Sequence, residues 1–358
     1  MEEKRLAKLK KKSWFSRVIW SLLFVAVAAT SIYIIVSQSR GFTWEGFVAY
    51  LGEASPVYVI SAVICMIGFV VFEGLSLVYI ARNFGYKQSV LDGVVYSASD
   101  IYLSSITPSA SGGQPASAYF MMQSGVSGAV ATVILLLNLM MYLLAMVVVG
   151  LLSFVLRPSL FLSFSTLSKV LIIAGCLVQI GLVCLFWLLL RKEKILFGIC
   201  NKFLSFLQWL RILKKREKIE KRLEAGMVRY RECAKMIAGK RRMVVGVFLL
   251  NLFQRISLTM VTVLAYLGTG GALGQAVDIG ATQCYVYLGS NCIPVPGAIG
   301  VSDYILLDGL GNLVDDYAHL GIFSRALSFY FCVLLCGIIM LIAYICYRAA
   351  NKRRESLK

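Results

Sequence analysis

The sequence has few charged residues. They make up 15% of its 358 positions, while hydrophobic residues make up 59%. A soluble domain does not require so apolar a composition, so the balance predicts an integral membrane protein. His319 is the single histidine, and no His/Cys set has the spacing of metal ligands. The ten cysteines lie mostly in apolar segments, where Cys acts as a small hydrophobic residue. We find no P-loop and no nucleophile motif, and we expect no metal and no other cofactor.

Acidic residues are half as frequent as basic ones, and the formal net charge is +18. A basic protein can be a nucleic-acid binder, but here most Lys and Arg fall in four blocks that each adjoin an apolar span: 1–17, 81–89, 191–242 and 348–358. Cytoplasmic loops of membrane proteins carry such an excess. The pattern therefore predicts no nucleic-acid partner, a multi-pass protein with both termini in the cytoplasm, and membrane phospholipids as partners.

Six apolar segments are long enough to cross a bilayer, which takes about 20 helical residues. They are Val18–Val36, Val57–Ile80, Val126–Leu156, Lys169–Leu190, Met243–Tyr266 and Gly321–Tyr347. Between the fourth and the fifth of these spans, the basic region 191–242 has apolar residues at helical spacing. This spacing predicts one or two amphipathic helices on the inner leaflet, or alternatively a partner-binding helix.

Proline is also scarce, and four of the six prolines fall in two short stretches, 107–115 and 291–300. The apolar segments beside them, 90–105 and 272–290, are short for a full crossing. Because the charge pattern fixes the side on which each neighbouring loop lies, we expect residues 90–123 to enter and leave on the cytoplasmic face and residues 272–310 on the opposite face. The alternative is that both short segments cross fully.

The predicted fold is therefore an all-α polytopic membrane protein with about six full transmembrane helices and two opposed re-entrant helical hairpins, resembling an inverted repeat. The predicted organisation follows the chain in order: a basic N-terminus, a first membrane half, a cytoplasmic amphipathic region, a second membrane half and a cytoplasmic tail. The corresponding ranges are 1–17, 18–190, 191–242, 243–347 and 348–358.

Arg255 is the strongest candidate for function. It lies 12 residues beyond Met243, or about 18 Å along a helix, and so near the middle of a bilayer core of about 30 Å. Asn251 and Gln254 share its helix and form a polar face with it. A guanidinium binds phosphate with two parallel hydrogen bonds. The alternative is a structural ion pair with Asp303 or Asp278.

Three acidic residues are further candidates. Glu73 and Asp100 lie within apolar segments, where charged residues are costly, and each could carry a coupling proton or pair with an arginine. Asp303 follows the second Pro/Gly stretch, where it could instead cap a helix. The first stretch offers hydroxyl, amide and backbone donors that suit an anionic headgroup. These donors are Ser109, Ser111, Gly112, Gly113 and Gln114.

The first stretch, Thr107-Pro108 with Gly112-Gly113-Gln114-Pro115 and Tyr119, and the second, Pro296-Gly297-Ala298-Ile299-Gly300-Val301-Ser302-Asp303, resemble the lysylphosphatidylglycerol synthase transmembrane-region family. This is the flippase-like domain at the N-terminus of the bacterial multiple peptide resistance factor, and membrane proteins of archaeal dolichol-linked glycosylation are similar. Tyr119, Pro296, Gly297 and Gly300 join the candidate site through this resemblance. The family often has Glu at the position of Asp303, and charged residues where this chain reads 136–140 as Leu-Leu-Asn-Leu-Met.

The resemblance implies a lipid translocator of the bacterial cytoplasmic membrane, for an anionic or aminoacylated phospholipid such as lysylphosphatidylglycerol, or for another lipid-linked phosphate. The alternatives are a phosphatidylglycerol lysyltransferase, or a membrane scaffold for a separate lipid-modifying synthase, contributing to resistance against cationic peptides. In the resistance factor a soluble C-terminal domain transfers the lysine. The chain ends at Lys358, so we expect no lysyl transfer by this chain alone. The sequence indicates no oligomeric state.

Overall fold

The computed structural model describes residues 43–107, 112–191, 237, 239–291, 298 and 300–356. The basic N-terminus 1–17, the span Val18–Val36 and most of the amphipathic region 191–242 lie outside these residues. Within them, every regular element is a helix. In chain order these are α1 Trp44–Gly52, α2 Pro56–Asn83, α3 Val90–Ile106, α4 Gly113–Gln123, α5 Gly128–Leu156, α6 Pro158–Ser163, α7 Thr166–Arg191, α8 Arg241–Gly268, a 3₁₀ turn Leu273–Gln275, α9 Ala276–Ser290, α10 Val301–Leu310, α11 Tyr317–Arg325, a π-helical segment Ala326–Phe331 and α12 Cys332–Ser356.

Five described helical stretches are long and apolar enough to cross a membrane. They are Pro56–Asn83, Gly128–Leu156, Thr166–Trp187, Arg241–Gly268 and Tyr317–Ala349. These stretches coincide with the five predicted spans that lie in the described residues. The helices at the two Pro/Gly stretches are not among them. The chain is therefore a helical, multi-pass membrane protein, as the composition predicts.

The centre of the fold is the antiparallel pair α2 and α8, two helices of 28 residues each. Their contacts run in opposite directions along the chain. The backbone N–H of Ser55 donates to the Gly268 carbonyl at 2.7 Å, the carboxylate of Glu73 accepts from Gln254, and Lys240 donates to the Asn83 carbonyl. We call the two ends of the pair the Gly268 end and the Asn83 end.

Helices α3 and α4 form the first hairpin. Ser89 begins α3 with a capping box, in which its hydroxyl and the Asp92 carboxylate satisfy free backbone N–H groups. The end of α4 lies beside the start of α3, because the Gln88 side chain donates to the Ser124 carbonyl at 3.2 Å. Arg82 of α2 donates to the Gln88 carbonyl at 2.9 Å. The first hairpin therefore opens at the Asn83 end.

Helices α9 and α10 form the second hairpin. Gly309 in α10 lies against the Thr282 side chain of α9, and Gly289 lies against Ile305 nearer the tip. The hydroxyl of Tyr266, near the end of α8, donates to the Gln275 side chain at 2.6 Å, just before α9 begins. The second hairpin therefore opens at the Gly268 end, opposite to the first.

The neighbours of the two hairpins correspond in part. Helix α3 packs against α2, α4 and α12, while α9 packs against α7, α8, α10 and α5. Exchanging α2 with α8, α4 with α10 and α12 with α5 converts the first set into the second except for α7, which packs only against the second hairpin in this comparison. Each hairpin also has its own apolar cluster. Buried side chains of α2, α4 and α5 surround the first, and those of α7 and α11 surround the second. Polar residues at the centre of α2 and α8 lie outside both clusters.

Candidate functional site: a buried arginine among aromatic rings

Arg255 lies at the centre of α8, which begins at Arg241 and ends at Gly268. Only 3% of its surface is exposed. Its guanidinium carbon lies 4.4 Å from the ring centre of Tyr142 on α5, 4.9 Å from that of Phe69 on α2 and 5.7 Å from that of Tyr287 on α9. We call these three rings the aromatic box. Such contacts stabilise a buried cation, but they provide no counter-charge.

The guanidinium makes few hydrogen bonds. Its Nη1 approaches the Tyr142 hydroxyl at 3.5 Å. Its Nε and Nη2 are buried and donate to no group among the residues that the structure describes. An unpaired buried charge is costly, and two free N–H groups on one edge of a guanidinium match two oxygens of a carboxylate or phosphate. The geometry therefore suits the binding of an anion.

The predicted alternative for Arg255, an ion pair with Asp278 or Asp303, is not what the structure shows. Asp278 pairs with Arg157 at 2.7 Å. Asp303 pairs with Arg325 at 2.5 Å and also accepts the backbone N–H of Gly300 at 3.1 Å. Asp303 thus has the capping role that its position predicts, together with a buried ion pair that the sequence analysis missed.

Glu73 lies beside this site on α2. Its Oε2 accepts a hydrogen bond from Gln254 at 2.9 Å and one from Ser97 of α3 at 3.2 Å. Both Asp100 and Arg255 are close enough to act electrostatically on the Glu73 carboxylate. We call Glu73, Asp100, Gln254 and Arg255 the central cluster. All four are at least nine-tenths buried.

Asp100 joins the central cluster to the tip of the first hairpin. It accepts hydrogen bonds from Ser104 at 3.0 Å and from Gln114 at 3.4 Å. A Cβ atom on Gly113 would lie 2.0 Å from the Asp100 Oδ1, so only glycine allows α4 to begin this close to α3. The predicted set Asp100, Gly113 and Gln114 is therefore brought together in space.

A comparison with protein families assigns the chain to one of them. The family model described as "Lysylphosphatidylglycerol synthase TM region" matches residues 18–336, nearly the whole chain. The chain belongs to this family. No curated protein and no solved structure matches it. Both hairpins and the whole central cluster lie within the matched residues.

Other predicted residues of this family member lie elsewhere. Asn251 is fully buried in a separate network, where its Nδ2 donates to Ser76 at 3.1 Å, to Asn138 at 3.0 Å and to the Val247 carbonyl at 2.9 Å. Tyr119 is 40% exposed. The described hydrogen bonds of the Asn251 side chain thus go to other residues than Arg255, and Tyr119 lies partly at the surface.

The hairpin tips are described only in part. In the first hairpin, Gly112 donates its backbone N–H to the Thr107 hydroxyl at 2.9 Å, which links the end of α3 to the start of α4. Gly300 begins α10 with φ +86°, a conformation that favours glycine. Four predicted site residues lie outside the described residues: Ser109, Ser111, Pro296 and Gly297.

Sequence reasoning did not find the aromatic box. Phe69, Tyr142 and Tyr287 lie on three different helices and belong to no common motif. Each is an ordinary residue of an apolar span, where aromatic side chains are abundant. The polar face of α8 is the local sequence feature that points to Arg255, and it carries no information about the aromatic rings that surround the guanidinium.

Proposed function

We propose that the protein is a lipid translocator that binds an anionic or aminoacylated phospholipid, such as lysylphosphatidylglycerol, or another lipid-linked phosphate. The proposal rests mainly on the Arg255 guanidinium. It is buried at the centre of α8, and its Nε and Nη2 have no hydrogen-bond partner among the described residues. A lipid phosphate offers the two oxygens that this edge requires.

The arrangement of the hairpins supports movement across the membrane. In this proposal both hairpins are re-entrant, the first from the cytoplasmic face and the second from the opposite face. They open at opposite ends of the α2–α8 pair, and neither contains a helix that meets the length and hydropathy of a span. Opposed hairpins with a central binding residue are the arrangement expected of a transporter with inverted repeats.

The proposal places both termini in the cytoplasm of a bacterial cell. The basic block 191–242 adjoins the spans ending near Arg191 and beginning at Arg241, which supports this orientation. Accessibility of single cysteines at exposed ends of helices to an impermeant reagent, in intact cells and in inverted vesicles, tests it. Labelling near Asn83 from outside the cell would reverse the orientation.

Leaflet exchange in proteoliposomes tests the main proposal. Fluorescent phosphatidylglycerol and lysylphosphatidylglycerol are incorporated with the purified protein, and a reducing agent added outside quenches the probe in the outer leaflet. We expect exchange with the wild type, and exchange about ten- to a hundredfold slower with Arg255→Gln, the loss typical of a charge-assisted hydrogen-bonding partner. Arg255→Lys keeps the charge but loses the paired geometry, so we expect an intermediate rate.

Arg242→Gln is the matched control, because Arg242 is exposed on the same helix. Its exchange rate should equal that of the wild type. An unchanged rate in Arg255→Gln would remove Arg255 from the binding site. If neither lipid exchanged in the wild type, the translocator proposal would fail.

The family description names a synthase, which motivates a second candidate function, lysyl transfer to phosphatidylglycerol, or a scaffold for an enzyme that performs it. Purified protein incubated with lysyl-tRNA and phosphatidylglycerol tests this directly. Labelled lysine appearing in the lipid would establish the enzyme. Labelled lipid appearing only after a separate synthase is added, and faster in the presence of this protein, would establish the scaffold.

A further inference from the structure

The charges of the central cluster do not balance. It holds two carboxyl groups, Glu73 and Asp100, and one cation, Arg255, all of them buried. The other ion pairs of the described residues that involve arginine, Arg157 with Asp278 and Arg325 with Asp303, each match one acid to one base. The central cluster thus carries an excess of one negative charge when both acids are ionised.

Binding of a phosphate would increase this excess. A lipid phosphate at Arg255 would place a third negative charge beside a single positive one, in surroundings of low dielectric where like charges repel strongly. Buried groups avoid this cost by binding a proton. A proton that enters with the phosphate restores the charge that the cluster has without it.

Hydrogen bonding indicates which acid receives the proton. The Glu73 Oε2 accepts from Gln254 Nε2, while the Gln254 Oε1 is buried and accepts no hydrogen bond from the described residues. A half-turn of the Gln254 amide would present Oε1 to the carboxyl group, and a protonated Glu73 could then donate to it. The Asp100 carboxylate accepts from Ser104 at 3.0 Å and from Gln114 at 3.4 Å, and the buried vacant Oε1 of Gln254 lies beside Glu73.

We infer that each phosphate-bearing headgroup binds at Arg255 together with one proton, which is held on Glu73. The inference rests on the proposed function, because it uses the same site. The proton comes from water and converts the Glu73 carboxylate to a carboxylic acid, and no bond of the lipid is broken. The titratable and charged groups that face Glu73 are Asp100 from α3, Arg255 from α8 and Cys332 from α12.

Three further titratable groups lie close to the cluster. Cys336 is one turn beyond Cys332 on α12 and is close enough to Glu73 to interact with it electrostatically. Tyr142 of α5 approaches Arg255 with its hydroxyl, and the ring centre of Tyr287 on α9 lies 5.7 Å from the Arg255 guanidinium carbon. A neutral thiol or phenol has no place for an added proton, whereas a carboxylate has one, so Glu73 is the site where we place the proton.

Calorimetric titration of the full-length protein in detergent with short-chain phosphatidylglycerol tests the inference. Repeating the titration in two buffers of different ionisation enthalpy gives the number of protons taken up for each lipid bound. We expect about one proton, and an affinity that weakens about tenfold for each unit of rising pH while uptake is complete. Inorganic phosphate is left out of the buffers because it would compete for the site.

Glu73→Gln resembles the protonated acid and cannot take up a proton. We expect it to bind the lipid with no proton uptake and with an affinity that does not change with pH. Asp100→Asn should keep the uptake. The matched control Glu53→Gln removes an exposed acid and should also keep it.

The outcomes separate the inference from the proposed function. Binding by the wild type without proton uptake, or uptake that persists in Glu73→Gln, would overturn the inference and leave the translocator proposal standing. Absence of binding by the wild type would overturn both. Loss of uptake in Asp100→Asn with retention in Glu73→Gln would move the proton to Asp100 and so contradict the assignment.

Discussion

The two hairpins have partly corresponding neighbours but hold their acidic residue in different ways. In the first hairpin, the side chains that donate hydrogen bonds to the Asp100 carboxylate, Ser104 and Gln114, are both neutral. In the second, Asp303 is paired with Arg325 at 2.5 Å. An ion pair with a fixed cation thus joins the second hairpin to α11, whereas hydrogen bonds from neutral side chains hold Asp100 in the first. The comparison indicates that the second hairpin is held more strongly than the first.

The largest expected difference between the hairpins comes from removing these partners. Arg325→Gln leaves the fully buried Asp303 side chain without its cation, which should cost about 3–5 kcal/mol of stability. Gln114→Leu removes one long, neutral hydrogen bond in the first hairpin and should cost about 1 kcal/mol. Thermal unfolding of the purified proteins, followed by a thiol-reactive dye, measures both.

The double variant Arg325→Leu with Asp303→Asn is the control, because it removes both charges. It should recover much of the stability that Arg325→Gln loses. Equal losses in Arg325→Gln and Gln114→Leu would show that the two hairpins are held with similar strength, and would contradict the comparison.

Arg255 should behave in the opposite way to Arg325. Arg255 shares the central cluster with Glu73 and Asp100 but makes no salt bridge among the described residues, so Arg255→Met breaks no close ion pair and keeps a side chain of similar length. We expect a melting temperature equal to or above that of the wild type, although the contacts with the aromatic box are lost. A large loss of stability would mean that the guanidinium is part of the structural core.

Substitutions at the close contacts within each hairpin should show a smaller difference. A Cβ on Gly113 would lie 2.6 Å from the Asp100 carbonyl oxygen, a backbone atom that cannot move freely. A Cβ on Gly289 would lie 2.5 Å from the Ile305 Cδ1, the end of a flexible side chain. We therefore expect Gly113→Ala to cost about 1–3 kcal/mol and Gly289→Ala to cost less. Thermal unfolding again decides, and a reversed order would contradict the described packing.

The sequence predicted the architecture more completely than the site. Length, hydropathy and charge located the five described spans, because these properties act locally along the chain. Arg255 was found because a cation within a span is rare. Its aromatic box and the pair Arg325–Asp303 were missed, because they join helices that are distant in sequence. Packing alone determines which of several equivalent partners meet.

Asn251 illustrates the same limit. Its position one turn before Arg255 predicted a binding role, but the structure places it in a network with Ser76 and Asn138. Asn251→Ala should cost about 1–2 kcal/mol by leaving these two side chains less well paired, while lipid affinity stays unchanged. Unfolding and calorimetric titration measure the two quantities. Leu249→Ala, exposed on the same helix, serves as the control, and a loss of affinity in Asn251→Ala alone would return Asn251 to the site.

The smallest effect is expected where the hairpins open. At the Gly268 end, the ion pair Arg157–Asp278 has side chains that are 40% and 24% exposed. At the Asn83 end no ion pair appears among the described residues: Arg82 and Lys240 donate to backbone carbonyls, and the Tyr347 hydroxyl shares a hydrogen bond of 2.6 Å with Ser124 and donates to Asp92 at 3.2 Å. Solvent screens the exposed pair, so Arg157→Gln should cost at most about 1 kcal/mol, and the loss should shrink as salt is added. Tyr347→Phe removes two hydrogen bonds of the hydroxyl but no charged group, so it should cost a similar amount that depends less on salt. Melting curves at low and high salt measure both, and a salt-independent loss in Arg157→Gln would show that this end is not held by charge.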